Sequence, residues 1–190
     1  MSIAQLSVKL YVAEPRDLEL REFVGTFHRW IQDERLDELL IDVTDYSHVV
    51  GGPGVLLVCH EAQYSMDGGD GRLGLRYARK RGGTGTLEDR VAQALRKALT
   101  ACQALADDPA LAGGIAFRTD EARLVFEDRL AAPNTPATFA DVAPGLTRLF
   151  ERMFGVEPSL EHRARPDECF GLDVRAPAAP DLATLLARLG

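Results

Sequence analysis

A continuous apolar run at residues 55–59, Val-Leu-Leu-Val-Cys, constrains the fold of this chain more than any other stretch. Glycine-rich segments flank the region, at residues 51–54 (Gly-Gly-Pro-Gly) and at residues 67–71 (Asp-Gly-Gly-Asp-Gly). A short unbroken apolar run is typical of a strand that is buried on both faces, and such glycine clusters are typical of turns. We therefore expect residues 39–81 to form the central strands of a sheet, with polar groups gathered at the strand ends.

Strand and helix patterns alternate along the chain. The strand that starts at Val55 is predicted to continue through His60 and Glu61. Residues 115–118 are predicted to form a hairpin with residues 123–128. Further strands are predicted at residues 6–12, 39–43, 73–77, 160–163 and 169–175. Helices are predicted after Pro15, after the capping box at Thr86 and Asp89, from Asp141 with Pro144 in the first turn, and near the C-terminus.

The order of these elements favours an α+β fold. Helices fall between groups of hairpins rather than after every strand, which argues against a doubly wound parallel sheet. We predict a mixed, largely antiparallel sheet built from hairpins with packing helices, in a single compact domain over residues 1–175. Residues 176–190 follow as a Pro/Ala-rich spacer and a short amphipathic helix, which either docks on its own domain or meets a partner.

Charge and cysteine usage limit the classes of partner and location. The 190 residues carry a formal net charge of −7, which disfavours non-specific attraction to nucleic acid or to anionic lipid. The longest strictly apolar run is far too short for a membrane span, and the first residues lack the pattern of a signal peptide. Three widely spaced cysteines, Cys59, Cys102 and Cys169, form no disulfide framework. We expect a cytoplasmic protein in which these cysteines act as small hydrophobic residues.

Two histidines and a glutamate in the central stretch are the first candidates for catalysis. Imidazole and carboxylate groups suit acid–base chemistry, and His48, His60 and Glu61 supply both. His60 lies at the far end of its strand from the turn that follows His48, roughly 20 Å away at about 3.3 Å per residue. His60 and Glu61 also point to opposite faces of a regular strand. The spacing matches no zinc motif, and we predict no metal site.

Two further groups of residues are candidates for ligand binding. Gly52 and Gly54 could present backbone N–H groups to an anion, although a strand and not a helix follows the turn. Arg76 belongs to a basic strand and could clamp an anion. Asp128 is a weak catalytic candidate, with Arg129 and Asn134 as binding candidates in the proline-bounded loop that follows.

The sequence contains no motif that identifies a reaction or a cofactor. It lacks GxSxG, SxxK, HExxH and the phosphate-binding loop. We therefore favour a non-catalytic cytoplasmic binding or assembly protein that self-associates or binds another protein, through strand edges and the leucine-rich terminal helix. The alternative is a small enzyme or ligand-binding protein. Its pocket would lie at the strand ends, lined by His48, His60, Glu61, Arg76, Asp128 and Arg129, and would take a small anionic or carbonyl-bearing molecule.

Overall fold

Eight strands and four helices make up the computed structural model, which describes residues 5–13, 19–81, 84–111, 114–165 and 167–190. The strands are β1 (Leu6–Tyr11), β2 (Leu40–Tyr46), β3 (Gly54–Cys59), β4 (Ala62–Asp67), β5 (Gly74–Arg79), β6 (Glu121–Phe126), β7 (Ser159–His162) and β8 (Phe170–Arg175). The helices are α1 (Glu22–Gln32), α2 (Leu87–Ala106), α3 (Pro136–Phe154) and α4 (Leu182–Leu189). No helix among the described residues is both long and apolar enough to cross a membrane.

The strands form one sheet in the order β2-β3-β4-β5-β1-β6-β8-β7. Each of the seven neighbouring pairs is antiparallel. This arrangement confirms the predicted α+β class. Strand alternation places Leu6, Val8 and Leu10 of β1 in the core beneath the helices, while Ser7 and Lys9 point to the opposite side, called here the open face.

A layer of helices covers the core face of the sheet, opposite the open face. Phe23, Phe27 and Trp30 form the buried side of α1. Helix α2 begins with the predicted capping box, in which Thr86 accepts from the Asp89 backbone N–H and Asp89 accepts from the Thr86 backbone N–H. This reciprocal pairing satisfies two amide groups that the helix itself leaves unpaired.

The C-terminal helix α4 docks on its own domain. Leu185 and Leu189 are buried, and the Arg188 guanidinium donates to the backbone oxygens of Met153 and Phe154 at the end of α3. Arg96 of α2 donates to the Leu189 oxygen at 2.7 Å. Of the two possibilities left open for this helix, packing against the same chain is the one observed.

The prediction that residues 39–81 form the central strands of the sheet was wrong: β2 is an edge strand and only β5 reaches the centre, because β1 from the N-terminus pairs with β5 and β6 there. Three local predictions were also wrong. The strand from Val55 ends at Cys59, because the chain reverses at residues 60–61 and β4 begins at Ala62. The predicted hairpin of residues 115–118 with 123–128 does not form: β6 pairs with β1 and β8, and Phe117 makes a single bridge to Val12. Helix α3 starts earlier than expected, with Thr135 as its cap, so that Pro144 lies inside it. Pro15, the predicted start of α1, lies outside the described residues.

The two halves of the chain repeat one arrangement. Outward from the centre of the sheet, β1, β5 and β4 follow the same order as β6, β8 and β7. Each half is also completed by two helices, α1 and α2 in the first and α3 and α4 in the second. Among the described residues of the second half, no hairpin corresponds to β2–β3. The sheet is therefore a pair of matching halves joined at the β1–β6 contact, with one extra hairpin at the first edge.

Ion pairs cover the centre of the open face. Arg76, Lys9 and Arg123 occupy directly opposed positions on β5, β1 and β6. Like charges in opposed positions repel each other, and carboxylates offset this here. Lys9 donates to Asp70 at 2.5 Å, Arg123 pairs with both Asp70 and Asp173, and Arg76 pairs with Glu127. Ser7 and Ala78, which are also opposed on β1 and β5, are buried, as expected where long neighbouring side chains cover small residues.

Candidate functional site

One candidate site is a cavity of about 250 Å³ at the end of β3, where the chain reverses into β4. It is lined by Asp37, Glu38, Leu39, His60, Glu61, Arg79 and Lys97. His60 and Glu61 come from the turn after β3, Arg79 ends β5, and Lys97 reaches in from α2. The reversal of the chain, which the sequence pattern does not indicate, therefore brings two of the predicted catalytic residues into one cavity.

Glu38 is the buried centre of this site. Its side chain is only 14% exposed, and its Oε1 atom accepts from the Tyr77 hydroxyl at 3.0 Å. Lys97 Nζ lies 3.9 Å from the same oxygen and donates to the Asp37 backbone oxygen at 2.5 Å. Burial, together with the Glu38 charge, raises the pKa of Tyr77 and also raises the pKa of Cys59 to about 12. Both groups therefore stay protonated near neutral pH and donate rather than act as nucleophiles.

Gly52 and Gly54 line a separate cavity of about 320 Å³ at the opposite end of β3. Two glycine-rich turns meet there, and Leu20, Tyr46 and Val49 supply the apolar part of the wall. Backbone geometry accounts for Gly54, which has φ +71° and lies so close to the next strand that a Cβ atom would sit 1.9 Å from the Met66 oxygen. The turn therefore requires this glycine whether or not a ligand binds.

Arg76 lies in a third cavity, on the open face. This cavity of about 170 Å³ is lined by Ser7, Lys9, Asp67, Asp70, Arg76, Arg123 and Val125. Its cations are paired with carboxylates of the same chain, as described above. An anion that entered would have to compete with Asp70 and Glu127.

Asp128, Arg129 and Asn134 hold a loop in place. Asp128 accepts from the backbone N–H groups of Leu130 and Ala131, and Arg129 donates to the Asp167 backbone carbonyl oxygen. The Asn134 amide donates to three backbone oxygens, those of Arg163, Arg165 and Glu168, while its own oxygen contacts His162 Nε2 at 2.7 Å. His48 lies in the turn between β2 and β3. The six residues expected around one pocket are therefore distributed over several places.

An exposed apolar patch on strand β2 and the residues that flank it was not predicted. Of the six large apolar side chains that are strongly exposed in the described part of the chain, five fall between residues 39 and 50. They are Leu39, Ile41, Tyr46, Val49 and Val50, and together they are called the β2 patch. The sixth, Leu130, lies in the β6–α3 connection. A signal for the patch was present in the sequence as apolar residues at both ends of an acidic strand.

The three thiols differ in accessibility, which gives a testable expectation. Cys59 and Cys102 are buried, and burial raises the pKa of both, whereas Cys169 is partly exposed with Arg129 Nε 3.5 Å from its sulfur. We expect a thiol-exchange reagent to modify one cysteine rapidly in the native protein and all three after denaturation, because only thiolates within reach of the reagent react. Substitution Cys169→Ser should abolish the rapid phase. Rapid modification of a second cysteine would contradict this assignment.

Within the described ranges, no group of three or more His, Cys, Asp and Glu side chains is arranged to hold a metal ion. The site thus offers hydrogen-bonding and charged groups of both signs, and the patch offers an apolar contact surface. A scan against protein-family models finds no match for the sequence, and a search of curated proteins finds no similar sequence.

Proposed function

We propose that this chain is a non-catalytic assembly protein that self-associates by pairing strand β2 with β2 of a second copy. The observation that carries the proposal is the β2 patch, because exposed apolar side chains gathered along one edge of a sheet mark an interaction surface. Strand β2 is also an edge of the sheet, so one side of its backbone is available for pairing with another strand.

The distribution of the patch favours a second copy as the partner. Leu39 and Ile41 lie at one end of β2, and Tyr46, Val49 and Val50 lie at the other. A two-fold axis through the middle of an antiparallel strand pair brings each end against the opposite end of the partner. Both ends of the pair would then place apolar side chains against apolar side chains, and the sheet would continue from one copy into the next.

The other edge of the sheet is less suited to pairing. Strand β7 has four residues, Ser159–His162, and carries an exposed glutamate, Glu161. Short and charged edge strands resist association. Strand β2 also carries charges, Asp42 and Asp45, along with an irregularity in register between Leu40 and Asp42. These carboxylates limit the strength of pairing, so the proposed assembly should strengthen at higher ionic strength.

The test is sedimentation velocity of the full chain and of single variants. We expect the wild type to be dimeric, and Ile41→Lys or Val50→Lys to raise the dissociation constant at least about tenfold, since a cation then faces apolar side chains. Substitution Asp42→Asn should lower the dissociation constant, because it removes repulsion between the two copies. Leu130→Lys is the matched control: it replaces an apolar residue outside the patch that is about as exposed as Val50, and it should leave the dimer unchanged.

A monomeric wild type would overturn the proposal, as would a dimer that Ile41→Lys and Val50→Lys leave intact. Both positions are exposed, 53% for Ile41 and 101% for Val50, so the substitutions should not unfold the chain. Circular dichroism and thermal melting of each variant check this point. Deletion of α4 is a poorer test, because that helix is packed into the core and its loss would expose α2 and α3.

A further inference from the structure

A groove of about 760 Å³ lies where α1 connects to β2, and it is called here the α1–β2 groove. The residues that line it fall in one short stretch of chain, from Ile31 near the end of α1 to Leu40 at the start of β2. Half of them are apolar, the other two being Leu36 and Leu39. Because Leu39 also belongs to the β2 patch, the groove is continuous with the surface proposed above for self-association.

Backbone contacts fix the shape of this groove. Glu34 adopts a left-handed conformation with φ +47°, which turns the chain back so that the Arg35 backbone N–H donates to the Trp30 oxygen at 3.0 Å. Further along, Lys97 Nζ donates to the Asp37 backbone oxygen at 2.5 Å. A groove that is already formed before binding loses little conformational freedom when a partner enters it.

Val50 is the complementary feature at the opposite end of β2. It lies in the middle of the turn formed by residues 47–53 between β2 and β3, and it is 101% exposed, so the described part of the chain leaves it uncovered. Residues 47–53 contain no Asp or Glu. The turn can therefore approach the three carboxylates of the groove, those of Glu34, Asp37 and Glu38, without like-charge repulsion.

The two-fold axis of the proposed β2 pair brings the turn and the groove together. Val43 is the middle residue of β2. When the axis passes through Val43, the residue seven positions after it in one copy is level with the residue seven positions before it in the other, and these residues are Val50 and Leu36. An axis one residue earlier or later places Val50 level with Glu34 or with Glu38, which also line the groove.

We propose that each copy in the dimer inserts Val50 of its β2–β3 turn into the α1–β2 groove of the other copy. This inference rests on the proposed pairing of β2 and adds a contact at each end of that pair. It accounts for the place of Val50 in the interface, although Val50 lies four residues beyond the end of the strand. The two-fold axis repeats the contact, so each dimer contains two such insertions.

Disulfide trapping tests this contact directly. Asp37→Cys and Val50→Cys are combined with Cys169→Ser, which leaves only the two buried native thiols. Asp37 and Val50 are both fully exposed, so the substitutions should not disturb the core. Within one chain these two positions lie at opposite ends of β2, which spans roughly 20 Å at about 3.3 Å per residue, so they cannot bond to each other.

We expect mild oxidation of this variant to give a covalent dimer, detected by denaturing electrophoresis without reductant. Its yield should be at least about tenfold higher than for either single cysteine substitution in the same background, because thiols bond only when their Cα atoms come within about 7 Å. Val50→Cys with Leu130→Cys is the matched control, since Leu130 is about as exposed as Val50 and lies outside the groove. This control should give no more covalent dimer than the single substitutions.

Sedimentation velocity of the wild type separates this inference from the proposal on which it rests. A wild type that dimerises through β2, with no cross-link above the Leu130 control, would overturn the insertion of Val50 and leave the pairing of β2 intact. A monomeric wild type would overturn both. Ile41→Lys, added to the paired cysteine substitutions, should abolish the cross-link. A cross-link that Ile41→Lys leaves unchanged would also overturn the inference, because the contact would then not depend on β2.

Discussion

Replacement of Gly54 by alanine is expected to lower the free energy of unfolding by about 3 kcal/mol. Two effects add. A residue with a side chain resists the left-handed conformation that Gly54 adopts, with φ +71°, and its Cβ atom would overlap the Met66 backbone oxygen. Because that oxygen belongs to the neighbouring strand β4, neither strand can move aside without disturbing the sheet. Urea denaturation followed by circular dichroism measures the change.

Gly51 supplies a matched control for this substitution. It has a similar φ of +69°, but nothing lies within 4 Å of the position that a Cβ atom would take. Gly51→Ala should therefore cost only the conformational term, about 1 kcal/mol. Equal losses for the two variants would mean that the close approach of β3 and β4 at Gly54 does not restrict this position.

Substitution Asp70→Asn is expected to destabilise the protein by about 2 kcal/mol, between the values for surface and buried ion pairs. Asp70 accepts from Lys9 at 2.5 Å, pairs with Arg123, and accepts from the Tyr11 hydroxyl at 3.2 Å. The Lys9 side chain is only 6% exposed, so the substitution leaves a cation that water reaches poorly, with the Asp67 carboxylate at 3.9 Å as its remaining partner. Thermal and urea unfolding at neutral pH measure the loss.

The same carboxylate predicts how stability changes with acid. Burial acts to raise the pKa of Asp70, but the hydrogen bond and charge of Lys9 and the charge of Arg123 outweigh it, so the pKa is lowered on folding. A lowered pKa contributes stability that is present above the ordinary aspartate pKa of about 4 and is lost as the pH falls through the folded value. Wild type should lose more stability than Asp70→Asn across that acidic range.

Asp120→Asn is the control for the ion-pair network. Asp120 pairs with Arg118, whose side chain is 43% exposed against 6% for Lys9, so its substitution should cost less than about 1 kcal/mol. If Asp120→Asn and Asp70→Asn had equal effects, the burial of Lys9 would not be what makes the Asp70 contact important.

Local signals in the sequence predict much of the fold. The capping box at Thr86 and Asp89 satisfies helical N–H groups within four residues, and the glycine turn after Asp67 reverses the chain between adjacent strands. The capping box and the glycine turn each depend on residues that are close together in the chain, so a few consecutive residues contain all the interactions involved. The α+β class follows from the resulting order of elements.

Partners that are distant in the chain could not be predicted in this way. Alternation in residues 121–126 indicates a strand, but nothing in it identifies β1 as the neighbour. The same limit applies to the candidate site: Glu38 lies in an ordinary acidic segment, and only the packing of β5 and α2 against it makes it a buried carboxylate beside Tyr77 and Lys97. The prediction of His60 and Glu61 rested on residue type, whereas their shared cavity depends on a reversal at residues 60–61.

The contact between β1 and β6 has a consequence for the order of events during synthesis. Lys9 and Arg123 are directly opposed there although 114 positions separate them in the chain. When the first half leaves the ribosome, β1 can pair with β5 on one side, but its other side must wait for β6. Closing so long a loop is slow relative to local pairing. Until β6 is synthesised, the nascent first half therefore has an unpaired β1 edge at what becomes the centre of the sheet. A chaperone that covers exposed strand edges would have its largest effect during this interval.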